Sequence, residues 1–403
     1  MYKSNRIYYA FFGCSLLFTL VYLAINRSSD LASFFYEGGV NLFGDFTNNL
    51  HYPTHQQGPY FDSIWATFPP LAYTFYYLIN VCYTRAIYHV EILAYLIITA
   101  ISCILMLYAI IRLFKRYGKN QNQLTEPLLL TEPLLLTCCL LLSGVMVYAI
   151  ERGNSVFNVL IMLLLALDFK ESDNKLQKEL ALILIAVAAN FKLYPAIFGV
   201  IYLLEKRYKE ALRLLVYGIL FFVVPFAWFG GVEGFVRFMQ NQQAIHDSIR
   251  TNFFTSIPSI ATYFSEVFSL NSEHMLTIGQ LVATIFAVVF VVCIILEKRL
   301  WLRVLHIVCL FIVVPGWSAE YMAIYMALPL VLLLCNDARY RKLYLVLFAG
   351  VFILLPIRAS FTTHATISWN IFISFGSIYA LSFLGIFDTF NNSLKQRKIK
   401  KGM

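Results

Sequence analysis

Apolar runs close to the length of a membrane-spanning helix follow one another from one end of this 403-residue chain to the other. A hydrocarbon core about 30 Å thick needs about 20 apolar residues per helical crossing. Stretches of that kind lie at 7–25, 91–111, 127–148, 212–229, 276–296 and 366–388, and shorter ones at 155–168, 180–191, 193–204, 300–314, 321–335 and 343–356. With 60% apolar and 13% charged residues, the chain lacks the polar surface that a soluble globule of this size shows to water. The fold class that follows is an all-α polytopic membrane protein with about twelve transmembrane helices. One membrane domain is expected over residues 1–403: a module at 1–215 with an outer loop at 26–67, then further helices at 216–403 with an outer loop at 230–275.

A net charge of +9 would invite a nucleic-acid partner in a soluble protein, and the positions of the charges decide against it. Basic clusters follow residues 111, 168, 204, 296, 335 and 388, and with Lys3 and Arg6 they place 24 of the 31 Lys and Arg on one side. The positive-inside rule makes that side the cytoplasm, with both termini on it, and assigns a multi-pass protein to the cell membrane. The parity of crossings then requires 68–84 (FPPLAYTFYYLINVCY and its neighbours) to be a partly inserted helix on the outer face. The apolar stretch behind MYKSNR is long and lacks a small-x-small cleavage site, so it reads as a retained first span. The eight cysteines show no CxxC and no histidine at ligand spacing, so neither a disulfide framework nor a zinc site is expected. The tandem TEPLLL hexapeptides at Thr125–Leu136 read as a duplication tolerated within a helix.

Seven basic residues remain outside: Arg27, Arg85, Arg152, Lys192, Arg237, Arg250 and Arg358. The stretches 180–191 and 193–204 are each too short to cross alone, so the break at Asn190–Pro195 falls within the protein, where non-helical backbone is tolerated only beside a buried or wet cavity. Arg152 and Lys192 both sit at such breaks, beside Gly153 and Pro195. Either they share an anionic phosphate, or Lys192 snorkels to the interface and Arg152 pairs with Glu151 or another outer carboxylate. The first loop offers Asp45 in NLFGDF, a carboxylate among apolar residues that suits a general base or, as a lone Asp in a loop more often does, caps a helix or faces solvent. No Asp-x-Asp pair accompanies it, so a metal-held nucleotide sugar has no ligands there.

Four stretches resemble glycosyltransferase family 87, a polyprenol-phosphate-mannose-dependent, mannosyltransferase-like group within the GT-C glycosyltransferases. They are the GDF around Asp45, the passage from Tyr60 to FPPL at Phe68–Leu71, RGNSVFNVLIMLLLALDF from Arg152, and NFKLYPAIFGVIYLLEKRYKEALR from Asn190. The likeness covers about residues 40–215, with a weaker echo at 315–332. It implies a GT-C-like bundle with short outer-face helices in the first loop, and an inverting, metal-independent hexosyltransferase with no cofactor. The implied donor is a mannose-like polyprenyl-phosphate sugar, moved to a glycan or glycolipid acceptor of the cell envelope at the outer face of the bilayer. By the same resemblance Asp45 is the base, and Lys192, Arg152 and Asn154 lie near the donor phosphate. Family members carry Ser-Trp-x-His-His before a late span, whereas this chain has Glu320 and Tyr321 in place of the histidines. Glu320, Tyr321, Tyr60, Arg250 and His364 are the acceptor- or sugar-binding candidates.

A flippase or transporter of lipid-linked sugars would share this topology but should show internal repeat symmetry, which the sequence lacks. A polysaccharide polymerase should carry an arginine-rich outer loop, and 230–275 holds only Arg237 and Arg250.

Overall fold

The computed structural model describes residues 2–26, 42–55, 57–84, 90–118, 126–248, 255–316, 318–355, 358–360 and 366–401. The candidates Arg250 and His364, and the exported Arg27 and Arg85, lie outside the described residues. Seventeen helices dominate what is described: α1 (Tyr2–Asn26), α2 (Gly44–His51), α3 (Pro70–Thr84), α4 (Val90–Tyr117), α5 (Glu126–Leu141), α6 (Gly144–Glu151), α7 (Val156–Phe169), α8 (Lys175–Phe191), α9 (Gly199–Leu204), α10 (Tyr208–Val223), α11 (Gly231–Ser248), α12 (Ile257–Val267), α13 (Ser272–Leu296), α14 (Leu300–Val313), α15 (Ala327–Leu334), α16 (Arg341–Val351) and α17 (Trp369–Lys401). A small antiparallel ladder joins β1 (Arg358–Ser360) to β2 (Thr366–Ser368).

Among the described residues, five helical segments are long and apolar enough to cross a membrane: Asn5–Ile25, Glu91–Tyr117, Tyr208–Trp228, Ser272–Leu296 and Trp369–Lys395. The run at 127–148 becomes a pair, Leu130–Leu141 and Gly144–Glu151, bent by 61° and making a sixth crossing if counted as one. That falls short of the twelve expected, and burial gives the reason. In the apolar windows of the five long helices only 17% to 33% of the residues are buried, so their solvent is lipid. All eight residues of α15 are buried, as is nearly all of the 14-residue α7 and α14. Helices apolar on every side are also what a protein core contains, and 14 residues reach only about 21 Å.

Contacts within the chain group it into two compact units, neither continuous in sequence. One comprises Met1–Gly39, Leu113–Tyr148 and Arg250–Met403; the other comprises Val40–Arg112 and Ala149–Ile249. In the first, α16 packs between α1 and α17, and α13 and α14 lie against each other and against α17. A polar knot ties these helices. Arg299 donates to Glu297 Oε2 at 2.8 Å and to Asp388 Oδ2 at 3.1 Å, and Thr389 donates to Glu297 at 3.0 Å while its hydroxyl lies 2.9 Å from His306 Nε2. Both carboxylates are almost fully buried, and each keeps a cationic partner, as a buried charge requires.

In the second unit α8 packs on α7 and α10, while α3 lies against α2, α8 and α10. The break expected near Asn190–Pro195 is present: α8 ends at Phe191, Lys192 is extended, and a 3-10 turn over Tyr194–Phe198 leads into α9. Pro195 has no N–H to give the Phe191 carbonyl, so the α-helical ladder cannot continue through it. The side chain of Asn190 bridges the break to α10, donating to the Ala186 carbonyl at 2.8 Å and to that of Gly218 at 3.1 Å. The FPPL passage opens α3, which packs on α2 as the helix of the first loop.

Candidate active site

The second unit brings the first loop and the turn after α6 together through the backbone. The amide of Phe43 donates to the Glu151 carbonyl at 2.7 Å, and that of Asp45 to the Arg152 carbonyl at 2.9 Å. Two conformational demands make this stitch possible. Phe43 takes a left-handed φ of 59°, costly for a bulky residue, at the N-terminus of α2. Gly153 has φ 68°, and a Cβ there would lie 2.8 Å from the Cβ of Phe46 and 3.1 Å from the Cα of Phe43. Only glycine meets both the dihedral and the close approach.

The stitch delivers the Asp45 carboxylate to two donors. Arg152 Nη2 donates to Oδ1 at 2.6 Å, and Asn154 Nδ2 donates to Oδ2 at 2.7 Å. Asn154 is buried, and its Oδ1 accepts from the amide of Val156 at 3.2 Å, which fixes the direction of its amide group at the start of α7. Of the alternatives open for Arg152 in the sequence, the structure shows an ion pair, with Asp45 as the carboxylate. Aromatic rings close the surroundings: Phe43 and Phe46 lie 4.6 Å and 5.1 Å from the Tyr95 ring, and Phe46 meets Tyr76 edge-on at 5.8 Å. The Tyr95 hydroxyl donates to the Ile150 carbonyl at 2.5 Å, bracing the turn from α4.

Lys192, between α8 and the turn that follows, lies outside every candidate span. Its Nζ sits 3.7 Å from the centre of the Phe68 ring, and Asp45 is close enough to act on it electrostatically. Protein packed around the ammonium pushes its pKa down to about 7, with Asp45 pulling the other way. Asp45, Arg152, Asn154 and Lys192 therefore belong to one place. Chemically, that place offers an acceptor-only group held by two donors, beside a second cation.

Tyr60, a candidate acceptor contact in the sequence, is packed into the unit. Its ring is buried among Tyr73, Phe226 and Phe238, and its hydroxyl donates to the Phe68 carbonyl at 2.9 Å, so in this structure it packs and braces the loop. Two residues of α11 do the same and were not singled out from the sequence. The side-chain amide of Asn241 reaches the carbonyls of Tyr60, Ser63 and Ala66 at 3.0–3.3 Å, and Gln242 donates to Thr67. An Asn-Gln pair in a polar helix carries no sequence signal for this task.

Glu320 and Tyr321 are buried in a 3-10 turn, Glu320–Met326, of the first unit, where the Tyr321 ring stacks on Tyr148 at 6.2 Å.

A helical protein whose long helices show apolar faces outward, with a carboxylate and two cations gathered at a helix break and a glycine turn, belongs to the membrane-embedded class. Residues 66–315, more than half of the chain, match glycosyltransferase family 87, and the chain belongs to that family of membrane glycosyltransferases. The match takes in Phe68, Arg152, Asn154 and Lys192 but begins after Asp45, which is joined to the others by geometry. No curated protein and no solved structure matches the chain.

Proposed function

We propose that this chain transfers a hexose, mannose-like, from a polyprenyl-phosphate sugar to a glycan or glycolipid acceptor of the cell envelope. The reading is carried by one observation: the Asp45 carboxylate is held by Arg152 and Asn154 beside the Lys192 ammonium. A lipid-linked donor lies in the bilayer while its acceptor comes from water, so the chemistry belongs at a membrane boundary. The charge pattern read from the sequence, with 24 of 31 basic residues and both termini on one side of a twelve-crossing chain, supports taking that boundary as the outer face of the plasma membrane.

In this mechanism the acceptor oxygen attacks the anomeric carbon from the side opposite the phosphate. The new C–O bond forms as the bond from that carbon to the phosphate oxygen breaks, and the configuration inverts. Asp45 takes the acceptor's hydroxyl proton, and polyprenyl phosphate departs with the electron pair. Arg152 and Asn154 hold the carboxylate in place, each on one oxygen, leaving a lone pair on each for the proton. Lys192 meets the charge growing on the phosphate; a well-placed donor of this kind is worth about 3–4 kcal/mol in the transition state. The scheme routes no step through a metal or cofactor.

The test supplies polyprenyl-phosphate hexoses to membranes containing wild-type or Asp45→Asn protein and measures sugar transferred to acceptor. General-base removal should lower kcat at least about 100-fold. Near-wild-type transfer by the Asn variant would remove Asp45 from the mechanism. Translocation of intact donor without cleavage of the sugar–phosphate bond would replace the reading with a flippase.

A further inference from the structure

We infer that Phe68 is a positioning residue, whose ring holds the Lys192 ammonium beside Asp45 and keeps it available to an incoming phosphate oxyanion. The inference rests on the glycosyl-transfer reading for the phosphate, and on geometry alone for the contact.

Phe68 is fixed at several points. Its carbonyl accepts from the Tyr60 hydroxyl at 2.9 Å, its amide donates to the Tyr73 hydroxyl at 3.4 Å, and its ring stacks on Tyr73 with centroids 6.1 Å apart. Pro69 and Pro70 follow, each with a locked φ, so the backbone next to the ring has little freedom. Both tyrosines are buried and Tyr60 is tied to α11 through Asn241, so the platform belongs to the core of the unit.

Lys192 stands on that platform. A lysine at a helix break could extend toward water, but Nζ is 3.7 Å from the ring centre. The π face attracts the charge without accepting a conventional hydrogen bond, so the N–H groups turned away from the ring stay free for an oxyanion. Asp45 acts on Lys192 electrostatically but makes no salt bridge with it, while Arg152 and Asn154 donate to its two oxygens. Among the described residues Lys192 makes no side-chain hydrogen bond or ion pair, and the ring is its partner. The arrangement suits a phosphate ester, which needs a fixed cation with open donors.

The experiment uses the full-length protein in nanodiscs, with Phe68→Leu, Phe68→Tyr and Lys192→Ala variants. Competitive acylation of Lys192, read by mass spectrometry across pH without substrate, should show its midpoint about 0.5–1 pH unit lower in the Leu variant, since the ring no longer stabilises the charged form. The Tyr variant should match wild type. An unfolded Leu variant would move the midpoint the other way, toward that of a free lysine, which separates misfolding from loss of the contact. With polyprenyl-phosphate sugar, Phe68→Leu should lower kcat/KM for the donor about 5-fold, with kcat sharing in the fall because Lys192 acts on charge that grows in the transition state. An unchanged Lys192 midpoint in a folded Leu variant overturns the inference. A lowered midpoint with donor kcat/KM unaltered in both Phe68→Leu and Lys192→Ala upholds the contact and overturns the phosphate role of Lys192.

Discussion

Arg152 meets Asp45 twice: its guanidinium donates to the carboxylate at 2.6 Å, and its own backbone carbonyl accepts from the Asp45 amide at 2.9 Å. The acid and its partner are thus fixed relative to each other in both side chain and main chain. In the proposed mechanism that makes Arg152 a positioning residue for Asp45.

Arg152→Lys keeps the charge but replaces the planar fork with a shorter reach. Loss of one charge-assisted hydrogen bond, about 1.5–3 kcal/mol, should lower kcat about 10- to 100-fold. Asn154→Ala should act in the same direction. Combined with Asp45→Asn, neither should add its full effect, because the three groups act as one. Full additivity in the transfer assay would show them to be independent.

Gly153→Ala forces a Cβ into a gap of 2.8 Å at a left-handed φ. The dihedral alone costs about 1–2 kcal/mol, and the clash pushes α2 away from the turn. Melting in detergent should come several degrees lower, with activity lost. At Gly376, in α17, an added Cβ would meet nothing within 4 Å, and Gly376→Ala should be neutral or stabilising by up to about 1 kcal/mol.

Lys192 predicts a pH signature. With its pKa lowered to about 7, the ammonium in the empty site is charged below that pH and loses its proton above it. kcat/KM at limiting donor should therefore fall as pH rises through about 7, and Lys192→Arg should remove the fall. Stability moves oppositely. Between about 7 and the ordinary lysine value the unfolded chain binds more protons than the folded one, so this residue's contribution to stability rises with pH. A flat donor profile across neutrality would contradict the assignment.

Arg299→Met leaves Glu297 and Asp388 buried without their shared cation. Breaking such a pair from one side costs about 3–5 kcal/mol. The melting temperature should drop accordingly, and Glu297→Gln, which keeps a hydrogen-bonding shape for Thr389, should cost less. Equal melting of wild type and Arg299→Met would show the knot to be dispensable.

Four residues that the structure brings together, Asp45, Arg152, Asn154 and Lys192, stood out in the sequence because polar groups are costly in an apolar chain and these lie at glycine and proline breaks. What they touch was less legible. The same cost argument allows Arg152 a phosphate or a carboxylate, and the Phe43–Asp45 backbone stitch that brings Asp45 to it is not visible in the sequence. The long helices were legible at nearly their observed bounds. The number of crossings was not, because α7, α14 and α15 are as apolar as lipid-facing helices while being buried in protein, and hydropathy is the same in both settings. The packing of Tyr60 was hidden for a related reason: an aromatic in a loop reads as a surface group until Phe226 and Phe238 are seen to cover it.

The stitch between 43–45 and 151–152 sets a rule for length change in the first loop. Two amides spaced two residues apart are matched to carbonyls of consecutive residues, with Gly153 filling the crevice behind them. One residue inserted between Phe43 and Asp45 would slide the carboxylate off both its donors at once. An insertion near Gly58, beyond the end of α2, leaves that frame in step. Natural or engineered variation in loop length should therefore accumulate on the far side of α2, and a chain altered between Phe43 and Asp45 would have to rebuild the turn at Arg152 to compensate.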